Sequence, residues 1–374
     1  MNLNGNAVMK HLHVIYHIAS AQQETVRERA EELLLEQTVE LPRKAIKHPF
    51  VEQEILGWVE DIQKDPEGGY RVTIAYPPVT TAFDPAQLLN VLFGNTSLQP
   101  DVALLDVEFP DVLVKRFPGP SLGPEGIREL TGVQTRPLTA TALKPMGLSP
   151  EELATLCNLF ARAGIDIIKD DHGLADHPFA PFEERVRRCQ DTLQQVAIET
   201  GHQALYVPNL IGTPTTIRRQ LDIALRYGVR AVMLSPMLVG LPFLAELAKE
   251  YPELPLFAHP AFGGATRIRP ETLLGKLFRL YGADAVIFPH QGGRFSFSES
   301  TTRDIARRLR MPWYGLKPAM PVPAGGMSVE RVPELVQFYG KDVILLIGGD
   351  LYLAGDAMET RARAYVEAVQ EAVV

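Results

Sequence analysis

Beyond residue 137 the chain settles into a rhythm. Apolar runs of four to seven residues recur, each passing into a polar loop and then a helix-like segment. The runs are LTATAL (138–143), IDIIK (165–169), ALYVPN (204–209), RAVMLS (230–235), LPLFAH (254–259), DAVIFPH (284–290), AMPVPA (319–324) and DVILLIG (342–348). Near-continuous apolar strands alternating with helices are the pattern of a parallel sheet covered on both faces. Eight such units in about 230 residues predict a (β/α)8 TIM barrel over 137–374. An open doubly wound sheet fits less well, because no G-x-G-x-x-G follows the first strand.

The segments between the runs carry helix signals. SPEELATLCNLFARAG has the capping box Ser149-x-x-Glu152, with Gly164 beyond its end. TPTTIRRQLDIALRYG places Ile217, Leu221, Ala224 and Leu225 on one face.

Residues 1–136 read differently, as a smaller α+β (ferredoxin-like) domain. LHVIYHIA (12–19) predicts a strand and QETVRERAEELLLEQ (23–37) an amphipathic helix. ILGWVEDIQ and YRVTIAYPP predict an antiparallel pair around KDPEGG. DPAQLLNVLFGN (84–95) predicts a helix with Asp84 as cap and Pro85 in the first turn. The Pro- and Gly-rich KRFPGPSLGPEGIREL (115–130) reads as a linker.

Composition narrows the function. A net charge of −8 argues against nucleic acid as a partner, since phosphate backbones call for a basic face. A small anionic substrate remains compatible, because a local cationic pocket can sit in an acidic protein. No apolar run reaches a membrane span, and the first twenty residues lack a signal-peptide pattern. The two cysteines, Cys157 and Cys189, fall in amphipathic helices and read as buried thiols in a reducing cytoplasm.

In a barrel of this type the chemistry gathers at the carboxyl ends of the strands. There the sequence offers Lys144, then Lys169-Asp170-Asp171-His172, Asn209, His259, His290 with Arg294 close behind, Gly325-Gly326, and Gly348-Gly349. The glycine pairs follow neighbouring strands and offer bare backbone N–H groups to a phosphate, although such pairs are also common turns. His259 and His290 read equally well as hydrogen-bonded rim residues.

Four stretches in this order, TALKPMGLSPEELA, GIDIIKDDHG, VPAGGM and LIGGD, resemble the large subunit of RuBisCO. YHIAS, LEQTVELP, LLNVLFGN and RFPGP…RPLTATALKP extend the resemblance through the amino-terminal half. The resemblance implies that CO2 carbamylates Lys169, and that Lys169, Asp171 and His172 hold a divalent metal. It implies that Lys144 handles protons at an enediolate, and that Gly325, Gly326, Gly348 and Gly349 bind phosphate. Glu36 and Asn95 match residues that complete a neighbouring subunit's site, so a homodimer or an oligomer of dimers is implied.

The departures point away from carboxylation. His172 stands where the carboxylases have glutamate, so the metal is Mg2+ or another divalent ion that tolerates imidazole. KPMGL lacks the carboxylases' second lysine, EQTVELP replaces their amino-domain motif, Pro260 replaces a phosphate-binding arginine, and Ala324 replaces a serine. Arg294 is the only cation near the position of their mobile-loop lysine.

The implied enzyme is a RuBisCO-like protein, a metal-dependent lyase or isomerase working through an enolate. Its implied substrate is a phosphorylated keto-sugar, such as a methylthio-sugar phosphate of methionine salvage. The alternatives are a decarboxylase or hydrolase of a phosphorylated oxo sugar acid of the 3-oxo-isoapionate 4-phosphate type, and a non-catalytic binding relative.

Overall fold

The computed structural model describes residues 10–19, 25–293 and 295–372. Among the described residues twelve strands lie in two sheets. Four are antiparallel: β1 (Leu12–Ile18), β2 (Trp58–Lys64), β3 (Tyr70–Tyr76) and β4 (Val102–Glu108), in the order β2-β3-β1-β4. The other eight are parallel: β5 (Leu138–Leu143), β6 (Ile167–Asp170), β7 (Leu205–Val207), β8 (Val232–Leu234), β9 (Leu256–Ala258), β10 (Ala285–Pro289), β11 (Met320–Ala324) and β12 (Ile344–Leu346). Among the described residues no helix is long and apolar enough to cross a membrane.

The chain packs as two units. The first comprises Met1–Pro118, Gly263–Leu273 and Tyr314–Leu316. Strict alternation along β1 buries Leu12, Val14, Tyr16 and Ile18 and turns His13, Ile15 and His17 outward. The helix Val26–Thr38 packs against β2 and β3 with Ala30, Leu33 and Leu34 buried. Asp84 caps the helix Pro85–Phe93 by accepting from the Ala86 and Gln87 amides. β4 was not anticipated, although its stretch VALLDVE alternates. The segment following β9 runs back along it, with Leu104 N donating to Arg267 O and Arg269 N to Leu104 O.

The second unit comprises Gly119–Phe262, Leu274–Trp313 and Lys317–Val374. Its sheet runs β7-β6-β5-β12-β11-β10-β9-β8. A parallel bridge between Asn209 and Met233 joins the two end strands and closes the barrel. The interior is packed with Leu138, Ala140, Ile167, Leu205, Val207, Met233, Phe257, Ile287, Val322 and Ile344.

The reading of 115–130 as a linker is corrected here. Gly123–Thr131 is a helix, and its Ile127 is fully buried in the barrel's apolar cluster. Proline and glycine here start a helix instead of spacing two domains. Residues 119–136 accordingly pack with the barrel, whereas the expected boundary lay at 136/137. The capping box at Ser149 and Glu152 is formed, and both cysteines are free and buried.

Candidate active site

The two-residue period of the strands decides which side chains reach the barrel mouth. Leu138 and Ala140 of β5 point into the core, so Lys144 continues on that line. By the same count Lys169 and Asp171 follow Ile167, Asn209 follows Val207, His259 follows Phe257, and Gly348 follows Leu346. Asp170, one step out of phase, faces the other way. It accepts from Arg185 Nε at 3.1 Å, Tyr206 OH at 2.8 Å and the Asn209 amide at 3.1 Å, all in the buried shell behind the strands. Of the two aspartates, one is structural and one faces the mouth.

At the mouth, Lys144 Nζ donates to Asp171 Oδ1 at 2.6 Å. Burial alone would raise the Asp171 carboxyl, but the neighbouring His172 ring, the hydrogen bond from Lys144 and the nearby Lys169 charge hold it far below the usual carboxylate range. Lys169 is 4% exposed, and its Nζ donates to the Asp170 carbonyl at 2.8 Å. Burial brings its ammonium down to about 8, so a substantial neutral fraction exists at physiological pH. Asn209 steadies the loop after β6 by donating to the carbonyls of His172 and Leu174, both at 3.0 Å.

The His172 ring lies flat on that of His259, with centroids 4.2 Å apart and planes 9° from parallel. Its Nδ1 is 3.6 Å from Asp171 Oδ1. His259 Nδ1 accepts from the Ala261 amide at 3.1 Å, which leaves the ring proton on Nε2. Burial and then the Lys169 charge push His259 well below the ordinary histidine range, so it is neutral.

His290 is not part of this group. Ala285 and Ile287 fill the core, so the period turns His290 outward, and it is buried behind the barrel. Its Nδ1 pairs with Tyr339 OH at 2.8 Å, and Arg331 approaches Nε2 at 3.3 Å. Arg331 also donates to Gly326 O at 2.9 Å and Gln291 O at 3.3 Å, pinning together the loops after β10 and β11. His290 shares its place at a strand end with the mouth residues, but the parity of β10 separates it from them. Arg294 lies outside the described residues.

The glycines divide. A Cβ on Gly326 would come within 2.6 Å of Gly293 Cα, so close backbone packing alone demands glycine there. Gly325 and Gly349 face open space, and a Cβ on Gly348 would meet Lys144 Cε at 3.9 Å. In the other unit Asn95 Nδ2 donates to Glu36 Oε1 at 2.9 Å.

Among the described residues no three His, Cys, Asp or Glu side chains form a metal-ligand set. Asp171 and His172 supply an oxygen and a nitrogen side by side, and a third ligand arises if CO2 adds to Lys169 Nζ. A poorly solvated amine with its ammonium near 8 suits that addition, so these residues fit a divalent ion.

With the barrel and its rim in view, comparison with known proteins is decisive about kinship. The catalytic-domain model of the ribulose bisphosphate carboxylase large chain matches residues 125–373, and the chain belongs to that family. It is 47% identical over 356 residues to ribulose bisphosphate carboxylase-like protein 1 of Rhodopseudomonas palustris, covering 95% of this chain and 96% of that one. It is 44% identical over 346 residues to the 5-methylthioribulose-1-phosphate isomerase of Rhodospirillum rubrum, covering 92% of each. A crystal structure of a Rubisco-like protein from Rhodopseudomonas palustris superposes with a TM-score of 0.90 at 43% identity, covering 97% of this chain and 98% of the other.

Proposed function

We propose that this chain is an enzyme that shifts a proton next to the carbonyl of a phosphorylated keto-sugar, with a methylthio-sugar phosphate as substrate and isomerisation as outcome. The observation that carries the reading is the Lys144–Asp171 pair beside the buried Lys169 amine. The named activity of the Rhodospirillum rubrum relative supports the choice of isomerisation.

Lys144 Nζ is the proton carrier. As the amine it takes the proton from the carbon adjacent to the carbonyl. Asp171 Oδ1, one hydrogen bond away, then stabilises the ammonium until the proton is returned to a neighbouring carbon. His259 offers a neutral Nε2–H for the oxygen that gains charge. Open backbone at Gly325 and Gly349 receives the phosphate. Asp171, His172 and a carbamate on Lys169 would hold a divalent cation, which when bound supplies Lewis-acid stabilisation of the enolate.

Incubation with 5-methylthioribulose 1-phosphate, Mg2+ or Mn2+, and bicarbonate tests the proposal. Phosphorus and proton NMR should show conversion to an isomer of the same mass. An unchanged substrate over many hours at high enzyme concentration would refute it.

A further inference from the structure

The Tyr352 hydroxyl makes two hydrogen bonds, and both go to the strand end that carries Lys144. It donates to Ala142 O and accepts from Lys144 N, each at 2.9 Å. β5 and β12 pair in parallel, Leu138 with Ile344 and Ala140 with Leu346. Leu138 N donates to Val343 O, and Ile347 N donates to Ala140 O. Continuing that ladder by its two-residue step, the next rungs would join Gly349 N to Ala142 O and Lys144 N to Gly349 O.

Those rungs are missing, because β12 ends at Leu346 and the chain turns at Gly348 into the short helix Gly349–Leu353. One hydroxyl, with a donor and an acceptor, takes the place of both groups of Gly349. Left unreplaced, Lys144 N–H and Ala142 O would lie orphaned at the top of the barrel. The ring is held edge-on against Phe160, with centroids 5.8 Å apart, so the hydroxyl is held at the gap.

We infer that Tyr352 is a positioning residue for Lys144: its hydroxyl completes the sheet edge where the strand stops, fixing the backbone from which the lysine reaches Asp171. It also leaves the Gly349 backbone out of the ladder. The inference rests on the reading of Lys144 as the proton carrier. A displacement of about 1 Å in a reacting group can cost as much as a hundredfold in rate, so slack at this rung should appear in turnover.

The test compares the wild type with Tyr352→Phe and Tyr352→Met, which remove the hydroxyl while keeping different apolar fillings. Amide hydrogen exchange resolved to Lys144 by fragmentation mass spectrometry is read together with turnover of 5-methylthioribulose 1-phosphate. In both folded variants the Lys144 amide should exchange at least about tenfold faster, and kcat should fall about tenfold to a hundredfold with KM within about twofold. A Lys144 amide as protected as in the wild type would overturn the inference. So would a faster amide with unchanged kcat, or a chain that folds only with the hydroxyl, since either leaves Tyr352 merely structural. Failure of the functional reading looks different: the wild type itself would then turn over nothing, and the positioning claim would be decided by the amide alone.

Discussion

Lys144 Nζ and Asp171 Oδ1 lie 2.6 Å apart although they follow two different strands and stand 27 residues apart in the chain. Register makes the meeting: Leu143 pairs with Asp170, so the next residues of β5 and β6 stand abreast and on the inward side. Because Asp171 is held far below the ordinary carboxylate range, it stays anionic throughout the working pH range and steadies the protonated form of Lys144. Asp171→Asn should therefore cut turnover by about a hundredfold or more without lowering the melting temperature by more than a few degrees. Steady-state kinetics with a thermal scan checks this, and near-normal kcat would count against the pair.

Lys169 gives a pH dependence. Burial lowers its ammonium to about 8, and only the neutral amine adds CO2, so carbamate formation should climb as pH rises from 7 to 9. With 13C-bicarbonate, a carbamate resonance should appear that is absent from Lys169→Met. That variant should lose activity yet melt no lower at pH 7, since it exchanges a buried ammonium for an apolar chain of similar length. A Lys169→Met protein with full activity would remove the metal-site assignment.

His290 makes a separate statement about acid stability. Burial, with the Arg331 charge second, lowers it from 6.5 to about 4. As pH falls through 6.5 the unfolded chain takes up the proton while the folded protein does not. Stability contributed by the neutral ring is therefore full above 6.5 and lost progressively towards 4, on the order of 1–3 kcal/mol in all. Chemical denaturation at stepped pH should show that slope, and His290→Gln should flatten it while leaving KM within about twofold.

Glu36 and Asn95, joined at 2.9 Å in the smaller unit, concern assembly. If they complete a neighbouring copy's site, Glu36→Ala and Asn95→Ala should each lower kcat by about tenfold or more while each protein stays oligomeric in sedimentation. Mixing either variant with Lys144→Ala should restore activity, because some sites would then draw both intact halves from different chains. A fully active monomer would contradict this account.

Much of this was legible in the sequence, and for identifiable reasons. The eight apolar runs announced the barrel because parallel strands are buried on both faces and write themselves as continuous hydrophobic stretches. Lys144, Lys169, Asp171 and His259 could be singled out as candidates because strand ends are where a barrel exposes polar groups. What escaped depends on phase and on distance along the chain. His290 sits at a strand end like the others, but one residue of parity turns it outward, and that phase shows only when Ala285 and Ile287 are counted as core. Arg331 and Tyr352 lie within helical stretches and act on residues 41 and 208 positions away, and nothing local marks them. Gly326 shows the other side of the same difficulty: backbone packing against Gly293 requires glycine there whether or not its N–H also meets an anion, and the sequence cannot separate the two.

The central claim, that Lys144 moves a proton at the carbon beside a carbonyl, is tested most directly by isotope exchange. 5-Methylthioribulose 1-phosphate is incubated in D2O with enzyme, divalent cation and bicarbonate, and the substrate and product are examined by mass spectrometry and proton NMR. The account predicts deuterium at the carbon next to the carbonyl with the wild-type protein, and incorporation reduced by about 10²–10⁴-fold with Lys144→Ala. No incorporation by the wild type, or undiminished incorporation by Lys144→Ala, would contradict it.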